Sequence, residues 1–325
     1  MDEPVICDSP VTLVYITGYN YSGSTLLAFL LNAHQLIAST GEICGPANFT
    51  PQSQCSCGAA LHACPLYREI ERRVGRPLFQ LDRFKFGHRL LSIPPTLPQR
   101  LLFGSLRNSR AETLRDWARE HLPWARAVAR EKRAAYAGFV KAAAALFDVG
   151  IVADSSKNPM NIPFLMRAEG IRLRVIHLVR HPAACVFSAI NRSPHGVPAA
   201  ADYWARNFDT VERVLERVPR ADWMRLRYED VCLEPDAACR GLCEWIGVPF
   251  DPAMLRFRQA AHHIYGNPMR LTDVAEIRLD TRWLTGLSEE ELRVVAAITG
   301  SQAQRCGYRF DRERSIGGCE AACRP

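Results

Sequence analysis

GYNYSGSTLL, residues 18–27, follows the β-branched run VTLVYIT at Val11–Thr17 and leads into apolar residues at helical spacing from Thr25 to Ala33. The order strand, Gly-rich turn, helix opens a parallel α/β sheet. The turn nearly matches the phosphate-binding consensus G-x-x-x-x-G-K-[ST]: Gly18, Gly23 and Thr25 fall in register, and Ser24 stands in the lysine slot. Glycines at 18 and 23 permit tight turns and close backbone approach. The helix start adds free N–H groups and a positive dipole end, and Ser22, Ser24 and Thr25 add hydroxyls. Such a loop is an anion site even without its lysine. For these residues alone, a plain strand-to-helix turn remains the competing reading.

Working outward, further strands are expected at Ile151–Ala153, closed by DSSKNP, at Leu173–Val179, followed by RHP, and at Trp223–Tyr228. Helices are expected over Ala183–Asn191 and around Asp236–Ile246. Short apolar strands alternating with helices predict a P-loop-like α/β fold, a parallel sheet flanked by helices. Its ligands would lie beyond the strands' carboxyl ends, where GYNYSGST, DSSK and RHP all fall. Residues 82–147 read as a helical insertion over the core, with a long amphipathic helix over Pro123–Phe147 and arginines on a solvated face. One domain is expected over residues 1–325.

Nearly half of the 325 residues are apolar, enough for a sizeable core, and the net charge of +7 suits an anionic ligand without choosing one. MDEPVICDSP has neither a basic nor an apolar leader region, and Leu26–Leu31 is too short to span a bilayer. A soluble, cytoplasmic protein is the resulting expectation. Cys7, Cys185, Cys232, Cys239, Cys243 and Cys306 are scattered and read as small buried hydrophobes. The Cys-rich loop at residues 44–64 is different. Cys44, Cys55, Cys57, Cys64 and His62 have the density of a structural zinc site, although C-x-C-x6-C is not a ribbon spacing; a disulfide and free thiols stay open.

An NTPase would want the missing lysine and an acidic residue for Mg²⁺ on a second strand. Asp154 is the candidate, but DSSK sets Lys157 three residues later, which points to a second phosphate contact instead. In that order, SGSTLL, LLNAH, GE, DSSKNP, LVRHPAACVFSAINR, LRYED and GNPMR, spread from residue 14 to about residue 283, resemble the PAPS-dependent sulfotransferases. The resemblance is to the bacterial branch related to tyrosylprotein and carbohydrate enzymes.

The resemblance implies metal-independent, in-line transfer of a sulfuryl group from 3′-phosphoadenosine 5′-phosphosulfate (PAPS) to an acceptor hydroxyl, leaving PAP. It puts the 5′-phosphosulfate on Ser22, Gly23, Ser24, Thr25 and Leu26, and the 3′-phosphate on Arg180, Ser188 and Arg270, with Trp283 closing that segment. Many members carry a cation before the Ser-Gly pair; this chain has Tyr21, so Lys157 is the expected replacement and Tyr21 an uncharged donor. Glu42 is the implied base, with His34 its competitor. His181 stands where an aspartate is common and receives no role, while Tyr228-Glu229-Asp230 is read as structural. The acceptor, a small molecule or glycan, would meet residues 82–147 and 193–210. A P-loop kinase or NTPase and a non-catalytic nucleotide-binding protein are the alternatives; no recognised nucleic-acid module appears.

Overall fold

The computed structural model describes residues 10–43, 52–75, 108–192, 194–260, 262–266, 268–271 and 276–311. Five parallel strands form one sheet in the order β2-β3-β1-β4-β5: β1 Val11–Thr17, β2 Ile37–Gly41, β3 Ile151–Lys157, β4 Ile171–Val179 and β5 Trp223–Arg227. The α/β expectation holds, with one strand more than the sequence pattern suggested. IASTG at β2 is short and built largely of small residues, so it shows no apolar alternation, yet every residue in it is buried. β3 also runs four residues past Ala153, carrying DSSK into the sheet.

Both sheet faces are covered. Along β1, Leu13 and Tyr15 enter one core while Val14 and Ile16 enter the other, as strand alternation requires. The Val14 face packs on α1 (Ser24–Asn32) through Leu27 and Leu30, and receives Leu242 and Ile246 from the later helix Pro235–Ile246. The Leu13 face receives α2 (Pro65–Val74) and then, beyond α3 (Ser109–His121), α4 (Pro123–Phe147). Ala129, Tyr136, Phe139, Val140 and Ala143 of α4 lie in that core, so the described end of the expected insertion is a layer of the fold. Residues 82–107 lie outside the described part.

The reading of the insertion's arginines as solvated needs correction. Arg115 and Arg119 of α3 are only 5% and 4% exposed. Both pair with Asp116, which also accepts from Arg217 at 2.8 Å. Burial pulls the Arg119 guanidinium down to about 10. A hydropathy pattern cannot separate such a buried network from a wet face, because both write arginine on one side of a helix.

Cys185, Cys232, Cys239, Cys243 and Cys306 are buried thiols, as expected, while Cys7 lies outside the described residues. No helix among the described residues is long and apolar enough to cross a membrane.

Candidate active site

Four strands end on the same edge of the sheet, and each delivers one element of a cavity of about 1010 Å³. β1 opens into the loop that carries Tyr21, Gly23, Ser24, Thr25 and Leu26; β2 is followed by Glu42, β3 ends on Lys157, and β4 is followed by Arg180. Ser188, Arg270, Arg192, Arg278 and Arg282 complete a mostly cationic wall. The volume lies at the upper end for ligand pockets, enough for two co-substrates side by side.

The loop is shaped by backbone that few residues tolerate. Tyr21 has φ +67° and Gly23, the N-cap of α1, has φ +94°. Leu27 N–H makes the first helical bond, to Gly23 O at 3.1 Å, so the N–H groups just before it have no intrahelical acceptor and face the cavity end. Ser22 differs from its neighbours. Its N–H donates to Tyr19 O at 3.3 Å, and its buried hydroxyl has no protein partner beneath the loop. Gly23 to Leu26 line the cavity, and Ser22 lies buried beside them without lining it.

Lys157 and Glu42 meet. Lys157 Nζ donates to Glu42 Oε1 and, at 3.2 Å, to Ser155 O. Both side chains are nearly buried, 12% and 10% exposed. The lysine owes its position to the junction of β1 and β3: its carbonyl accepts from Thr17 Oγ1 at 2.8 Å, and its backbone sits at φ +67°. Glu42 is held by a strap, residues 262–266, that extends the sheet edge. Glu42 N–H donates to Tyr265 O at 2.9 Å, and Tyr265 N–H to Thr40 O at 3.1 Å. Gly266 crosses above: a methyl there would lie 3.4 Å from both Glu42 Oε1 and Thr25 Oγ1. A carboxylate, a cation and a helix start thus converge on one point.

Asp154 does not join them. Its carboxylate is fully buried, accepting from Tyr136 Oη, from Ser156 N–H at 2.8 Å and from Ile43 N–H at 3.1 Å. Its oxygens are engaged by these donors, Asp154 does not line the cavity, and through Ile43 N–H it anchors the turn behind Glu42. His34 is likewise structural, bonded to Pro249 O and to Leu36 N–H.

Arg180 reaches the cavity with its guanidinium engaged: Nη1 donates to Tyr21 O at 2.9 Å, Nη2 pairs with Asp280 Oδ2 at 3.1 Å, and the plane lies over the Tyr228 ring. Arg282 and Arg180 hold the Asp280 carboxyl well below the usual carboxylate range. Arg192 lies over the Tyr21 ring, 5.3 Å from its centroid. Arg270 is buried against Tyr265 and donates to Gln54 O at 2.9 Å. Arg192, Arg278, Arg282 and Asp280 were not foreseen from the sequence. Arg192 ends the LVRHPAACVFSAINR segment, where it had been given no role, whereas Arg278, Asp280 and Arg282 follow no short motif and only the return of the late chain segment places them here. Of the segments expected to meet the acceptor, no described residue of 108–147 or of 194–210 lines this cavity, while residues 82–107 and 193 lie outside the described residues.

His181 has a role the sequence did not suggest. Its Nδ1 accepts from Ala183 N–H at 3.2 Å and caps the helix Pro182–Ile190, while Nε2 donates to Arg309 O at 2.8 Å. The ring stacks on Trp283 at 4.4 Å, so Trp283 closes this corner of the fold against His181. Burial, aided by Arg227 and Arg180, pushes the imidazole down to about 4, which keeps the neutral tautomer these bonds require. The unfolded chain takes up that proton first, so this contribution to stability falls as pH drops from about 6.5 through about 4. Urea midpoints at pH 7 and pH 4.5 should differ less for His181→Asn than for the natural chain; equal differences would remove His181 as the cause. Glu229 also fits its structural reading, accepting from His181 N–H at 2.9 Å and Tyr308 Oη at 2.6 Å.

The Cys-rich loop folds beside this site. Cys55, Cys57 and Cys64 do come together, but His62 is exposed and outside the group; the histidine that joins is His263, from the strap. Cys44 lies outside the described residues. Local spacing could not reveal a histidine 199 residues downstream of Cys64.

Among solved structures, the sulfotransferase domain from the Synechococcus PCC 7002 olefin synthase is 18% identical, with a TM-score of 0.46 over 94% of this chain and 98% of that one. The sulfotransferase domain from the curacin biosynthetic pathway is 18% identical, with a TM-score of 0.47 over 93% and 99%. A sulfotransferase from Mycobacterium avium is 15% identical, with a TM-score of 0.49 over 93% and 79%. No curated protein matches significantly. The model of the sulfotransferase family matches residues 14–252, which runs from the middle of β1 through β5 and takes in every site element up to Ser188. The chain therefore belongs to the sulfotransferase family, enzymes that transfer a sulfuryl group.

Proposed function

We propose that the protein, working as one domain, transfers the sulfuryl group of PAPS to a hydroxyl of a small molecule or glycan, in line and without a metal. The observation that supports this reading most is the Lys157–Glu42 pair, which lines a cationic cavity together with the Gly23–Leu26 helix start. The loop N–H groups and the hydroxyls of Ser24 and Thr25 would take the 5′-phosphosulfate. Arg180, Ser188 and Arg270 lie where a 3′-phosphate could be met, with Arg180 exchanging Asp280 for it. Glu42 accepts the acceptor's proton as its oxygen attacks sulfur. Lys157 then stabilises the negative charge that builds on the oxygen bridging sulfur to PAP as that bond breaks. Tyr21 supplies a phenol at the cavity wall and no charge.

A kinase or NTPase reading loses its metal ligand, because Asp154 is buried and saturated with donors. The deciding measurement is thermal stability with PAP, with ATP and with ATP plus Mg²⁺. PAP should stabilise the chain without Mg²⁺, by about 2.7 kcal/mol at a hundredfold excess over Kd. Stabilisation by ATP only in the presence of Mg²⁺ would reverse the assignment. PAP binding without sulfate transfer to any hydroxyl acceptor would leave the non-catalytic reading.

A further inference from the structure

We propose that Cys55, Cys57, Cys64 and His263 hold a structural zinc ion that clamps the strap carrying Tyr265 and Gly266 to the Cys-rich loop, and so fixes the wall behind Glu42. The four ligand atoms all lie within 4.8 Å of one another. A tetrahedral zinc with Zn–S bonds of about 2.3 Å sets its sulfurs about 3.8 Å apart. Cys57 Sγ and Cys64 Sγ are 3.8 Å apart. His263 Nδ1 is 3.2 Å from Cys64 Sγ, a few tenths of an ångström closer than such a site needs.

The donor set selects the metal. Three thiolates and one imidazole at tetrahedral spacing suit zinc and no hard, oxygen-seeking cation. Burial points the same way. Cys55 and Cys64 are fully buried, and Cys64 lies at the N-cap of α2, where the helix dipole favours a thiolate. A disulfide between any two of the three sulfurs would leave the third, together with His263, gathered to no purpose. The loop is built to present them. The turn at Gly58, at φ +86°, brings Cys57 back over Cys55, closed by Cys55 N–H to Ala59 O at 2.9 Å.

The clamp has a mechanical consequence. Besides His263, the strap is tied to the loop by Ile264 N–H to Ser56 Oγ at 2.8 Å and by Ser56 N–H to Ile264 O at 3.1 Å. On its other edge the strap bonds Thr40 and Glu42. None of the four proposed ligands lines the cavity, yet the next two residues after Ile264, Tyr265 and Gly266, do. A metal here acts on the site through the backbone, and takes no part in the chemistry.

The full chain, purified without a histidine tag and passed over chelating resin, should carry about one zinc per molecule by elemental analysis. A mercurial thiol reagent should release that zinc in step with the loss of three thiols. Cobalt in its place should give the intense visible absorption of a tetrahedral thiolate site. Cys57→Ser is the variant of choice because Cys57 is exposed and its loss leaves the buried sulfurs packed; its zinc content should fall below about a tenth of wild type, with a lower midpoint temperature. Should that variant fail to fold, the zinc content of the natural chain still decides. A metal-free chain in which Cys55, Cys57 and Cys64 are all free thiols by peptide mapping after alkylation, a disulfide between two of these cysteines, or iron in place of zinc would each overturn the assignment. Zinc whose removal leaves the midpoint temperature and PAP affinity unchanged would overturn the clamp. Because metal content is read without turnover, this outcome is independent of the sulfotransfer reaction.

Discussion

Glu42→Gln is expected to lower turnover by about 10²–10⁴-fold while PAP affinity stays near wild type. The substitution keeps the shape and leaves an amide oxygen to accept from Lys157, so the nearly buried lysine is not stranded. What disappears is the ability to take the acceptor's proton. Lys157→Met should cost about 10²–10³-fold by removing the charge that meets the leaving oxygen. It also leaves the Glu42 carboxylate without its partner in a site only 10% exposed, so a lower midpoint temperature should accompany the kinetic loss. Because the two side chains share one hydrogen bond, their effects should not multiply. The double variant should be little worse than the poorer single one, as for groups that act as a unit. Turnover of Glu42→Gln within about twofold of wild type, with PAP still bound, would remove Glu42 as base. Fully multiplicative effects would dissolve the pair.

How far the sequence led is clear from which residues are local. Gly23, Ser24, Thr25 and Leu26 are contiguous, and a strand, turn and helix read directly along the chain place them at a helix start. Glu42 was legible only through family resemblance, Lys157 was first read from DSSK as a phosphate contact, and nothing in either segment says that they touch. Their meeting depends on β2 and β3 being neighbours, and β2 is the strand whose small residues gave no pattern. The same limit explains Arg278 and Asp280 at the cavity and His263 at the cysteine cluster beside it: each arrives by tertiary return of the late chain. His62 was grouped with the cysteines because sequence reasoning weighs proximity along the chain, whereas the strap's pairing with Thr40 and Ser56 sets proximity in space and brings His263 there instead. The loop that first suggested an incomplete nucleotide site has a lysine beside it that is not its own. The cation arrives from β3, across the sheet junction.

Gly23→Ala should weaken PAP binding by more than about tenfold, a loss of about 1.4 kcal/mol. Two costs coincide at this position. The N-cap backbone lies at φ +94°, where an L-residue is disfavoured by about 1–2 kcal/mol. A new Cβ would also meet the Tyr228 ring at its Cδ2 and Cε2 edge, closer than side chains pack. That ring cannot simply swing aside. Its hydroxyl donates to Arg278 O at 3.2 Å, and the Arg180 guanidinium covers its face at 4.5 Å. Relief must come from the loop, which would turn its N–H groups away from the donor, or from Tyr228, which would carry Arg180 and Arg278 with it. Either movement reaches the anion site. Gly247→Ala isolates the backbone part: Gly247 has φ +90° and no atom within 4 Å of the added methyl. It should lose stability from strain alone and keep its PAP affinity. Equal affinities for the two variants, measured by calorimetry with PAP, would show that the Gly23 loop is not where the donor binds.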